Sequence, residues 1–154
     1  MIMRERINRF NRILRLREDS RRNEQAILAA ERHEETQVLN LLAGLNNEKQ
    51  SALKEFSSSG GDKVISCNEL WFQRQFIDAI DNDIVKGNNS LSDVRQRIIK
   101  TEERLVERHK DVRIMETYID KLKEANFKEE LAVEQNELDD VATMQFSRVM
   151  RNKF

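Results

Sequence analysis

Two histidines, one cysteine and a large stock of carboxylates are what this chain offers to chemistry. A di-iron helical bundle needs Glu-x-x-His pairs, in which a carboxylate and an imidazole one helical turn apart share a metal. Ala30 and Val106 occupy the positions where His33 and His109 would need their glutamates. There is no Gly-rich phosphate loop, no nucleophile elbow and no Cys/His cluster with metal-ligand spacing. Cys67 falls at a predicted helix start, a place that lowers thiol pKa values, but a reactive thiol is the weaker reading. No catalytic residue, metal ligand or cofactor is therefore expected, and the chain is read as a non-enzyme.

Two surface features remain. Residues 1–22 carry eight arginines, among them Arg9, Arg12 and Arg15, against Glu5, Glu18 and Asp19. Residues 124–140 hold seven acids and one lysine, so a net charge of -1 conceals a strong segregation. The basic end is either a solvated helix face or a docking surface for an acidic partner. Nucleic acid is disfavoured as that partner, because stacking aromatics and a known module are both missing. A cleavable mitochondrial presequence is disfavoured because the helix runs on without a break. The second feature is the cluster Trp71, Phe72 and Phe76. Large apolar side chains left exposed mark interaction sites, and tryptophan is enriched at hot spots; the alternative is a local cap packed under a bend.

The elements that position these residues follow from spacing. One apolar stripe steps by three and four through Met3, Ile7, Phe10, Leu14, Leu28, Val38, Leu42, Leu45, Ala52 and Phe56. A second runs from Leu70 through Ile77, Ile80, Ile84, Leu91, Val94, Ile98, Leu105, Val112, Met115 and Ile119 to Leu122. This is the heptad seam of one helix packed along another. With no proline, four glycines and 36% charged residues, long helices are permitted and a broad core is not. The expected fold is all-α, a single domain over 1–154 built as a two-helix antiparallel coiled-coil hairpin. Arm one covers about 3–56, the Ser/Gly bend 57–65, and arm two about 67–150. Ser66-Cys67-Asn68-Glu69 reads as a capping box at the start of arm two, with Ile65 and Leu70 as its hydrophobic staple. The matched seams set Phe10 beside Val112, Ile7 beside Met115, Leu42 beside Ile80 and Ala52 beside Leu70. Gly87-Asn88-Asn89-Ser90 is read as helix, since the heptad phase crosses it without a slip. Residues beyond about 123 then overhang as a helix without an intramolecular partner. No run reaches the roughly 18 apolar residues of a membrane span, and one cysteine suits a reducing compartment, so a cytoplasmic protein is expected.

The length, the hairpin, the segment ISCNELWFQRQFIDAI (65–80) and the stretch YIDKLKEANFKEELAVEQNELDDVATMQF (118–146) resemble the stalk proteins of bacterial type III secretion. These are the flagellar FliJ and injectisome YscO proteins, and the likeness to the injectisome branch is the greater. The resemblance implies a monomeric cytoplasmic coiled coil at the base of a secretion apparatus, peripheral to the inner membrane. It implies insertion into the pore of the hexameric secretion ATPase, contact with the cytoplasmic domain of the export gate, and in some members the handing over of export chaperones. For the gate it implies Phe76 and Ile80, beside the exposed Trp71 and Phe72. For the ATPase it implies the basic end with Arg9, Arg12 and Arg15, together with the overhang. Two other functions fit a helical hairpin: a chaperone or adaptor that clamps clients, and a scaffold that dimerises through its seam.

Overall fold

The computed structural model describes residues 2–59 and 66–153. Two helices account for nearly all of them, α1 (Ile2–Ser59) and α2 (Cys67–Asn152), and no strand occurs among the described residues. Ser66 caps α2 as its sequence predicts. Its hydroxyl accepts the Glu69 amide at 3.3 Å, and its carbonyl accepts that of Leu70 at 3.2 Å. Glu69 in the first turn and Arg151 in the last complement the helix dipole. Of the predicted bend, residues 57–59 belong to α1, whereas residues 60–65, including the Ile65 half of the staple, lie outside the described residues. The Gly87–Ser90 stretch is continuous helix.

Two compact units divide the chain. One comprises Asn23–Val106, where α1 and α2 run antiparallel: Arg32 pairs with Glu102 at 3.4 Å, Arg97 with Glu34 at 2.8 Å and Lys49 with Asp81 at 2.6 Å. Its core gathers Leu28, Val94 and Ile98, with Leu105 packed against them, and Leu42 and Ile80 are buried further along. The seam also contains polar groups. Thr101 donates its hydroxyl to Glu31 at 2.5 Å, Arg104 donates to Thr101 at 3.0 Å and to Glu24 at 3.3 Å, and Glu24, Glu31 and Thr101 are all buried.

The other unit comprises residues 1–22 and Glu107–Phe154. Ile7, Val112, Met115 and Ile119 form its buried seam. Phe10 meets the edge of Tyr118 at a centroid distance of 4.9 Å, Arg17 donates to the Asp111 carbonyl at 3.2 Å, and Arg4 lies 3.6 Å from Glu130. The helices are antiparallel here as well.

In both units the pairing differs from the expected one by about a heptad. Phe10 lies beside Tyr118 instead of Val112. Leu42 faces Gly87 instead of Ile80: a Cβ added at Gly87 would sit 2.6 Å from Leu42 Cδ2. A seam that repeats every seven residues fits itself again after a slip of seven, so counting apolar layers does not fix its register. The interruptions do. In the pairing present here Glu31 meets Thr101, Lys49 meets Asp81, and Leu42 fills the space above Gly87. The expected pairing would have set Glu31 against Leu91 and buried a carboxylate without a partner, at a cost of several kcal/mol. The overhang starts later as a consequence. Ile2, Arg4 and Arg6 share a groove with Asn126, Glu130 and Val133, so the helix is unaccompanied only beyond about residue 134 rather than 123.

Candidate functional site

In the unit of residues 23–106, the first turns of α2 carry the aromatic cluster. Heptad spacing turns Ile77 and Ile80 toward α1, which leaves Trp71, Phe72 and Phe76 on the outside, more than half exposed. Trp71 and Phe72 meet edge to face at 5.2 Å, so their rings together form one amphipathic plate. Phe76 forms one wall of a groove of about 420 Å³ whose other wall is Gly44, Glu48, Ser51 and Ala52 of α1. Nothing would meet a side chain added at Gly44. Ile80 is buried at 4% exposure. Of the four residues singled out for the gate, three form a surface and the fourth holds the seam beneath it.

In the unit of residues 1–22 and 107–154, Arg4, Arg6, Arg17 and Arg21 are engaged with α2, at Glu130, Tyr118, the Asp111 carbonyl and His109. Arg9, Arg12 and Arg15 are exposed and make no ion pair among the described residues. Their three-residue steps keep them on the face of α1 turned from the seam. Every residue from Phe127 to Lys153 is exposed as well. This end thus presents three unneutralised cations and an uncovered helix, both available for docking.

Neither histidine gathers chemistry around it: His33 hydrogen-bonds Gln37 at 3.2 Å and His109 meets Arg21 at 3.3 Å. No group of acids, histidines or cysteine able to hold a metal occurs among the described residues. Among the described residues, the one shifted titration is that of Arg97, raised above its ordinary value by its hydrogen bond to Glu34 and by that carboxylate's charge. No helix of the described residues is long and apolar enough to cross a membrane. Sequence reasoning missed the wall opposite Phe76. Its signal was present in the steps of four, three and four from Gly44 through Glu48 and Ser51 to Glu55, which run along one flank of the seam.

The paired helices carry an exposed aromatic plate in one unit and a basic face in the other, surfaces of the kind by which proteins dock. The profile of the Flagellar FliJ protein family matches residues 6–151, and the chain belongs to that family. It is therefore a stalk component of a flagellar or type III export apparatus, a family of structural export proteins rather than enzymes. No curated protein and no solved structure matches it.

Proposed function

We propose that the chain connects the hexameric secretion ATPase to the cytoplasmic domain of the export gate. The exposed plate of Trp71, Phe72 and Phe76 carries the reading: three large aromatic side chains kept in water on a chain this short of apolar residues require a partner. Gate contact falls to these three, with Ile80 supporting them from inside the seam. ATPase contact falls to Arg9, Arg12 and Arg15 and to the uncovered helix after residue 134, a slender charged end suited to a ring pore. The protein acts in the bacterial cytoplasm at the base of the apparatus, one copy to a ring, and its helical flanks are free to escort export chaperones. The overall resemblance of the sequence inclines to the injectisome branch, while the family profile that matches is the flagellar one. Rescue of secretion in a stalk-deleted injectisome strain, but not in a flagellar one, is the expected result there; the reverse result removes that branch.

The test of the connection separates its two ends. Phe76→Ala should weaken binding to the gate's cytoplasmic domain while ATPase stimulation persists. Changing Arg9, Arg12 and Arg15 to glutamate should reduce stimulation while gate affinity persists. If both variants, well folded, keep both activities, the proposal fails.

A further inference from the structure

Within the unit of residues 1–22 and 107–154, the two sides of the helix pair differ in chemistry. Arg6 donates to the Tyr118 hydroxyl at 3.4 Å and marks one side. Steps of three and four along α1 bring Ile2, Arg9, Ile13 and Leu16 to the side of Arg6. The same steps along α2 bring Ile114 and Lys121 to the side of Tyr118. None of these positions holds an acid. Arg4 pairs with Glu130 on the other side. There, the same steps place Glu18, Glu116 and Asp120 among Arg15, Arg113 and Lys123, with no aliphatic residue over that span. One side is thus basic and aliphatic, the other polar and mixed in sign. On the first side, Ile2, Leu16 and Ile114 are 83%, 68% and 63% exposed. Arg9 and Lys121 are exposed there without an ion pair among the described residues.

We propose that this side rests on an anionic phospholipid surface, with the paired helices lying in its plane. The antiparallel contact of Phe10 with Tyr118 sets Leu16 nearly level with Ile114, and Arg9 nearly level with Lys121. Aliphatic therefore stands beside aliphatic and cation beside cation, on a face about 20 Å long. A sheet of anionic headgroups neutralises both rows of cations at once. The interleaving favours lipid over protein. A protein interface gathers apolar residues at its centre and leaves charge to the rim. At a bilayer surface, Arg and Lys stems lie among aliphatic side chains while their charged heads reach the phosphates. Tyr118, with an apolar ring and a polar tip, suits the same boundary. No helix of the described residues can cross a membrane, so the contact is peripheral. The inference does not rest on the ATPase contact. Arg9 is common to both surfaces, whereas Arg6, Ile114 and Lys121 belong to this one alone.

Co-sedimentation of the full chain with vesicles tests the contact. Vesicles of phosphatidylglycerol and phosphatidylcholine should bind the chain, more weakly as salt is raised, and vesicles of phosphatidylcholine alone should not. Lys121→Glu should lower the affinity about tenfold or more. Arg113→Glu makes the same change of charge on the other side and should lower it far less. Leu16→Gln combined with Ile114→Gln should also cost about tenfold, with helicity retained, since both positions are exposed. A wild-type chain that ignores anionic vesicles, equal losses from Lys121→Glu and Arg113→Glu, or indifference to the paired glutamines would each overturn the proposal. Loss of ATPase stimulation in Lys121→Glu, from a chain that binds no vesicle, would give this side to a protein partner and overturn it as well.

Discussion

Gly44 and Gly87 lie in helix interiors, where glycine costs about 1 kcal/mol relative to alanine, and their surroundings are opposite. A side chain at Gly87 runs into Leu42; one at Gly44 meets open space. Gly44→Ala should therefore raise the melting temperature, by about 1 kcal/mol of stability. Gly87→Leu should lower stability by about 1–3 kcal/mol through overpacking, and Leu42→Ala should recover part of that loss in the double variant. Thermal denaturation followed by circular dichroism reads both; two shifts of the same sign would contradict the placement of Leu42. The aromatic and aliphatic members of the proposed gate site divide in a similar way. Phe76→Ala should leave stability almost unchanged and cost about 2 kcal/mol or more of gate affinity if it is a hot spot. Ile80→Ala, at 4% exposure, should cost about 2–5 kcal/mol of stability instead. The outward position of Phe76 and the inward position of Ile80 could both be read from heptad phase, because phase assigns each side chain to a face. Phase also puts Gly44, Glu48 and Ser51 on one flank of α1, but that this flank lies opposite Phe76 follows only once α1 and α2 are set in register.

Phase and register are separate facts about a pair of helices. Apolar spacing gave both helices, and the S-x-x-E signal gave the start of α2, because each depends on local chemistry alone. Register depends on which interruptions meet, and the slip of a heptad arose from matching apolar layers without matching polar ones. Glu31 and Thr101 were both visible as gaps in their stripes, and pairing gap with gap would have found the register. Their buried hydrogen bond is the specifying contact: Thr101→Val should cost about 1–3 kcal/mol by stranding the carboxylate. Replacing both by apolar residues should recover stability while loosening register, the usual role of a polar group in a coiled-coil seam. Cross-linking reads register directly. In a Cys67→Ser chain, cysteines at 10 and 118 should form a disulfide within one chain on oxidation, and cysteines at 10 and 112 should not. The opposite result would restore the pairing expected from the apolar layers.

At the scale of the whole molecule, the family assignment makes the chain a structural component of an export apparatus. The later start of the overhang moves the boundary at which truncation becomes harmless to the hairpin. Removing residues 135–154 should leave the melting temperature of the remainder nearly unchanged while reducing ATPase stimulation, whereas removing residues 124–154 should also uncover the half-buried Met3, take away the Glu130 partner of Arg4 and lower stability. Stimulation through Arg9, Arg12 and Arg15 should weaken with salt, since exposed charges are screened beyond about 8 Å at physiological ionic strength. The central claim is that one chain holds ATPase and gate together, and co-sedimentation of the three purified components tests it most directly. The ATPase hexamer should carry the gate's cytoplasmic domain down with it only when the chain is present, and Phe76→Ala should abolish that carriage while the chain itself stays with the ring. Carriage of the gate domain without the chain, or binding of ring and gate domain to the chain only in mutually exclusive complexes, would contradict the account.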